Sequence, residues 1–143
     1  INDEEKKVTA IHEAGHAYFA RRVGTRATKI TIGFIHGLCY YDEVCDERDE
    51  AIIAWGGVVA QVAIGLPLVL LNAFFGFGNM DPFGPVIAFL GFVSLIFAAF
   101  NLIPAPGLDG GKAWKLMPIL IADLRSRRYV KQARKASKFK VVK

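Results

Sequence analysis

The sequence predicts a mainly α, integral-membrane fold. It reads as a three-helix transmembrane core with a small β-hairpin or sheet after the first helix and a basic C-terminal helix. Three observations carry this reading. Two blocks, Ala51 to Met80 and Pro82 to Leu108, contain no Asp, Glu, Lys or Arg and are parted only by Asp81. A spanning helix needs about 20 apolar residues, and each block supplies them. The chain is apolar for its length, 53% hydrophobic over 143 residues, with a mean hydropathy of +0.34. The charge is also segregated: Lys112, Lys115, Arg125, Arg127, Arg128, Lys131, Arg134, Lys135, Lys138, Lys140 and Lys143 crowd the C-terminal end, with Asp123 the single acid among them. Two buried helices of a soluble core are the competing reading, which two such long uncharged runs disfavour.

The length suits one domain with a real core. Residues 1–111 read as that core and 112–143 as a basic, helical tail lying on the membrane surface. Asn2 or Asp3 can cap a first helix over about 3–23. Arg21 and Arg22 suit the negative pole of its dipole, and Gly24 suits its stop. Its apolar stretch, Val8 to Ala20, is short and interrupted by His12, Glu13 and His16, so it needs partners to cover its polar face. From 27 to 41, Thr28, Ile30 and Ile32 fit one strand and Leu38 to Tyr41 a second, a hairpin or small sheet. Asp42 to Glu50 is acidic and reads as a solvated loop leading into a helix. A second helix follows over about 51–75, with Gly56, Gly57, Ala60 and Ala63 as a small-residue face for close packing and Pro67 as a point of kinking. Gly76 to Pro85 is a turn. The third helix, about 86–103, is broken by Pro104, Pro106 and Gly107, which leaves Asp109 on an irregular segment or at the start of a new helix.

A basic tail can mean nucleic acid. Directly after an apolar span it more often marks a cytoplasmic flank against anionic lipid. No zinc-finger spacing, helix-turn-helix pattern or aromatic-basic interleaving supports a nucleic-acid partner, and none is expected. Cys39 and Cys45 are the only cysteines and read as free thiols, since a domain of this length does not need a disulfide. No secretory signal is visible, and a start at Ile1 reads as a processed or trimmed piece.

Two motifs at opposite ends carry the chemistry. His12-Glu13-Ala14-Gly15-His16 places two imidazoles four positions apart on one helix face, a spacing that suits two ligands of one tetrahedral zinc. Glu13 stands beside such a metal as a general base. Taken alone, each His is also readable as an ordinary helix residue. Asp109 lies in an Asp-Gly pair, a common turn dipeptide. At the end of an apolar helix, however, an acid is costly unless it is paired or metal-bound. As a third ligand it would complete the set that a catalytic zinc uses.

HEAGH together with Asn101-Leu102-Ile103-Pro104 and Leu108-Asp109-Gly110 resembles the site-2 protease family of intramembrane zinc metalloproteases, over most of residues 8–112. That resemblance implies one Zn2+ per chain held by His12, His16 and Asp109, with Glu13 activating water. It implies Asn101 near the site as a contact for substrate or oxyanion, and Pro104 as the break that lets Asp109 turn inward. The Gly33-Phe34 region resembles the family's membrane-associated hairpin. The family often carries Gly-Pro-x-x-Asn in its middle helix. Here the stretch reads Gly56-Gly57-Val58-Val59-Ala60-Gln61, with Gln61 in the amide's place and so, like Asn101, implied as a contact for substrate or oxyanion.

The implied function is a zinc-dependent endopeptidase of regulated intramembrane proteolysis, cutting membrane-protein substrates in or near their transmembrane helices. A polar cavity would bring water to the metal. The substrate would be unwound by strand pairing near Thr28 to Ile35. The basic tail would lie in the cytoplasm and the N-terminus outside. Expected partners are the substrate helix, the bilayer, and a homo-oligomer or regulatory membrane protein. Two rivals stay open. Val8 to His16 also resembles the peptidase domain of membrane-anchored AAA proteases, which would make this a soluble or peripheral zinc peptidase. The metal could equally be a structural clip, or serve transport, in a non-catalytic membrane protein.

Overall fold

The computed structural model describes residues 3–25, 27–32, 37–41, 46–76 and 82–140. In chain order they form α1 (Asp3–Val23), β1 (Ala27–Ile32), β2 (Gly37–Tyr41), α2 (Glu47–Phe75), α3 (Gly84–Asn101), α4 (Gly110–Ala113) and α5 (Leu116–Lys140). The centre of the molecule is α2. It packs against α1 on one side, α3 on another, and receives α4 near its start.

The expected fold class is corrected on two counts. Among the described residues two helices, α2 and α3, are long and apolar enough to cross a membrane, not three. The first helix fails because Asp3 to Lys7 and the HEAGH motif put too much charge into its 21 residues. The β element is also slighter than a regular hairpin. Its two strands run antiparallel with Ile30 opposite Cys39, but the register shifts between Ala27 and Lys29. Residues 33–36, which include the Gly33-Phe34 pair, lie outside the described residues, as does Cys45.

In their most apolar windows only 17% of α2 and 22% of α3 is buried. A core helix of a soluble domain would be mostly buried, so this distribution favours lipid as the surrounding phase. Leu66, Leu70, Phe74 and Phe75 on α2, and Phe92, Ile96 and Phe100 on α3, all face outward.

The acidic run before α2 is a helix start, not all loop. Asp46 accepts the Asp49 N–H at 2.8 Å, a standard N-cap contact. Glu47, Asp49 and Glu50 then occupy the positive end of the helix dipole. At the far end Gly76 adopts φ 65° and its N–H reaches Asn72 O, which closes the helix as only glycine does cheaply. Helix α3 starts at Gly84, with Pro85 in its first turn where no donor is needed. It ends at Asn101, two residues sooner than the sequence reading, because a residue preceding proline disfavours helix.

The helices meet through glycine. A Cβ on Gly15 would fall on the carbonyl oxygen of Gly56, and one on Gly56 would lie 2.6 Å from Gly15 O. On the α3 side, a Cβ on Gly65 would lie 2.9 Å from Gly91 O. Small residues let helix backbones approach closely where lipid gives no hydrophobic drive. Gly56 and Gly57 therefore serve the α1 contact as expected, whereas Ala63 is exposed and Gly65 makes the contact with α3. Replacing Gly56 by Ala should destabilise the chain by about 1–3 kcal/mol through overpacking. Thermal unfolding in detergent would register this as a lower midpoint, and an unchanged midpoint would mean that the crossing relaxes freely.

Candidate metal centre

His12 and His16 lie mid-way along α1 and are 7% and 6% exposed, with Glu13 at 3%. Their i, i+4 spacing turns both rings toward α2, with centroids 4.5 Å apart and planes at 89°. One face of α2 receives them through Ile53, Gly57 and Gln61, each one turn beyond the last. The His16 Nδ1–H donates to Ile53 O at 2.8 Å, and the His12 Nδ1–H donates to Gln61 Oε1 at 3.1 Å. Between those two acceptors Gly57 leaves a notch. A Cβ there would lie 2.5 Å from His12 Cε1.

These bonds decide which atoms face inward. A backbone carbonyl can only accept, so His16 carries its proton on Nδ1 and presents Nε2 as a lone pair. His12 does the same toward the amide oxygen of Gln61. The two Nε2 atoms stand 3.0 Å apart. Asp109 Oδ2 lies 2.8 Å from His12 Nε2 and 3.2 Å from His16 Nε2. Three electron-pair donors thus converge on one point. A single proton can bridge one such pair, whereas a divalent ion satisfies all three. Ligands about 2.0–2.1 Å from a tetrahedral zinc are separated by roughly 3.3 Å, close to the spacing found here. The donor set fits zinc. A ligand oxygen of Glu13 lies within 4.8 Å of both His donors, beside the triad and on the same helix.

Asp109 comes from the opposite end of the chain and is fixed by the segment around it. It immediately precedes α4 and accepts the Lys112 N–H at 2.9 Å. A Cβ on Gly110 would fall on the carbonyl oxygens of Ile103 and Leu102, so the Asp-Gly pair is demanded by the chain doubling back against the end of α3. Trp114 Nε1–H donates to Leu102 O at 2.8 Å. Trp55 Nε1–H donates to Ala113 O at 2.9 Å, and the two indoles pack edge to face at 5.8 Å. Lys115 pairs with Glu47 at 2.8 Å and Lys112 with Glu50 at 3.6 Å. The Gly110 and Trp114 contacts hold the Asp109 segment to the end of α3, and the Trp55, Glu47 and Glu50 contacts hold it to the first half of α2. Burial alone would push the Asp109 carboxyl up. A proton shared with the imidazoles in the metal-free centre outweighs burial and holds it well below the usual carboxylate range, and a cation placed there would act in the same direction. Its side chain keeps 23% exposure, which leaves the centre reachable from that side.

The structure therefore brings His12, Glu13, His16 and Asp109 together. Gln61 is fully buried against His12. Asn101 is the half-buried last residue of α3, and among the described residues none hydrogen-bonds its side chain. Gly57, Ile53 and Trp55 were not singled out for the site by the sequence. Gly57 was legible only as a packing residue. Ile53 acts through its backbone, which no side-chain pattern betrays. A hint lay in the spacing of Gly57 and Gln61, which puts both on one face of α2. Replacing Gly57 by Ala should drive a methyl group into the His12 ring and weaken zinc binding by at least about 10-fold with helicity unchanged. Chelator competition beside circular dichroism would check this. Trp55→Phe, which removes the donor to Ala113 O, should loosen Asp109 and lower zinc affinity as well, whereas equal affinity would assign its position to other contacts.

Comparisons with known proteins bear on the same residues. The model of peptidase family M50 matches residues 79–141, which include Asn101 and Asp109 but not HEAGH. A zinc metalloprotease of Methanocaldococcus jannaschii is 33% identical over 102 residues, 71% of this chain and 29% of the relative. Two proteins each described as a "putative zinc metalloprotease" also match. The one from Synechocystis sp. is 33% identical over 111 residues, 73% of this chain and 27% of the relative. The one from Mycolicibacterium smegmatis is 27% identical over 129 residues, 70% of this chain and 50% of the relative. The chain thus spans half or less of the length of these curated relatives. No solved structure matches it. With the paired HEAGH and Leu-Asp-Gly motifs meeting at one centre, and with these relatives, the chain belongs to peptidase family M50, the site-2 protease family.

Proposed function

We propose that the chain is the catalytic core of a zinc-dependent endopeptidase that cleaves membrane-protein substrates in or near their transmembrane helices. The observation that carries this reading is the convergence of His12 Nε2, His16 Nε2 and Asp109 Oδ2 within 3.2 Å of one another, beside a buried Glu13. These three atoms would hold zinc, which supplies Lewis acidity toward a scissile carbonyl and brings the pKa of water toward about 7. Glu13 takes the proton from the attacking water and passes it to the leaving amide nitrogen. Its burial, at 3% exposed, keeps that carboxylate away from bulk solvent. Asn101 contributes an amide donor toward the developing oxyanion from the end of α3. Substrate enters on the Asp109 side, where the centre is open.

The site lies below the membrane surface. Charge at the start of α2 ends at Glu50, and His12 packs at the level of Gly57. Six residues at 1.5 Å each put the centre about 9 Å inside the apolar part of α2. That end of α2 is ion-paired to Lys112 and Lys115, so it lies on the same side of the bilayer as the basic tail. A cationic flank favours the cytoplasm, which makes this a multi-pass arrangement with a cytoplasmic C-terminal tail. A structural-clip reading would need the same three ligands but gives no use to Glu13.

Two measurements test this. Glu13→Gln should lower cleavage of a transmembrane substrate by at least about 100-fold and leave zinc content near that of the wild-type chain; retained cleavage would favour the clip. Asp109→Ala should lose the metal, and zinc bound equally well in that variant would break the three-ligand centre.

A further inference from the structure

We propose that Gln61 is a positioning residue of the metal centre, holding His12 in the one tautomer and ring orientation that can ligate. This rests on the zinc reading above and deepens it. The resemblance suggests an amide acting on substrate at this position. Three observations point elsewhere.

The first is burial. Gln61 is 0% exposed and is the largest fully buried side chain among those described, so no substrate reaches it without the helices parting. The second is its partner. Its Oε1 accepts the His12 Nδ1–H at 3.1 Å, and an acceptor there forces the proton onto Nδ1 and frees Nε2 for the metal. Gly57, one turn earlier on α2, lies so close to the ring that a Cβ would sit 2.5–2.7 Å from three of its atoms. The notch fixes where the ring lies, and the amide oxygen fixes which way its nitrogens point. His16 receives the same service from Ile53 O, which no side-chain substitution can remove. Gln61 is therefore the one replaceable half of the pair.

The third observation is what the arrangement sacrifices. Gln61 Nε2 is buried with no hydrogen-bond partner among the described residues. An unmet buried donor costs stability, and a leucine of similar volume would avoid that cost. A glutamine that harms packing yet orients a ligand is explained by the ligand.

The test is zinc and Co2+ titration of the full chain in detergent, with chelator competition, on wild type, Gln61→Leu, Gln61→Met and Gln61→Glu. Thermal unfolding of the metal-free proteins would be run alongside. Gln61→Leu and Gln61→Met should bind zinc about 10–100-fold more weakly, with an altered Co2+ visible spectrum, yet unfold no earlier than wild type. Gln61→Glu keeps an acceptor toward Nδ1–H and should bind within a few-fold of wild type. Unchanged affinity in the Leu and Met variants would overturn the proposal. So would equal loss in Gln61→Glu, because it would mean that the amide's donor matters and not its acceptor. A wild-type chain that binds neither metal would overturn the zinc reading itself, an outcome distinct from both.

Discussion

Two imidazole nitrogens and a carboxylate oxygen held within 3.2 Å of one another are a constraint that the rest of the molecule must satisfy. Each is electron-rich on the side facing the others. Without a cation between them they repel, and in an apolar setting the repulsion is poorly screened. The fold has to bring them together through contacts that do not depend on their mutual attraction. It does so with steric and hydrogen-bonding devices: the Gly15–Gly56 crossing, the Gly57 notch, the two Nδ1 acceptors on α2, and the indole bonds that fasten the Asp109 segment.

Helix α2 therefore has divided duties around its circumference. The face of Ile53, Gly57 and Gln61 is cut to the shape of the histidine rings. Gly65 and Gly91 let the α2 and α3 backbones pack closely. The remaining arc, with Val59, Val62, Leu66 and Leu70, carries exposed apolar side chains. A single helix that both lines a polar centre and faces hydrocarbon has little freedom to rotate or slide, because a shift that improved one face would spoil another.

The residues that converge at the centre were more legible than the scaffold that holds them. His12, Glu13 and His16 announce themselves because two ligands and a base fit one turn of helix, and Asp109 because an acid at the end of an apolar run demands a partner. The uncharged blocks gave α2 and α3. The start of α2 was hidden, since an acidic run reads as solvated loop until Asp46 is seen to cap it. The first helix was grouped with the transmembrane core although its apolar stretch is short and polar, and by composition it does not pass as a span. The seat of the imidazoles was invisible for a different reason. Gly57 works by lacking a side chain, Ile53 by its backbone, and Gln61 by a partner 49 residues away. None of these leaves a periodic trace.

The wide separation of the ligands along the chain also bears on how the protein comes into being. His12 is made early and Asp109 late, so the centre cannot exist until α1, α2, α3 and the Asp109 turn are all in place. Metal captured by the two histidines alone would be held loosely, whereas the third donor arrives only with the finished helix packing. A ligand that binds the assembled state and not its precursors shifts the balance toward assembly by mass action. A zinc ion bound at this centre would thus act as the last fastener of the fold, joining the two ends of the chain only once the helices are locked.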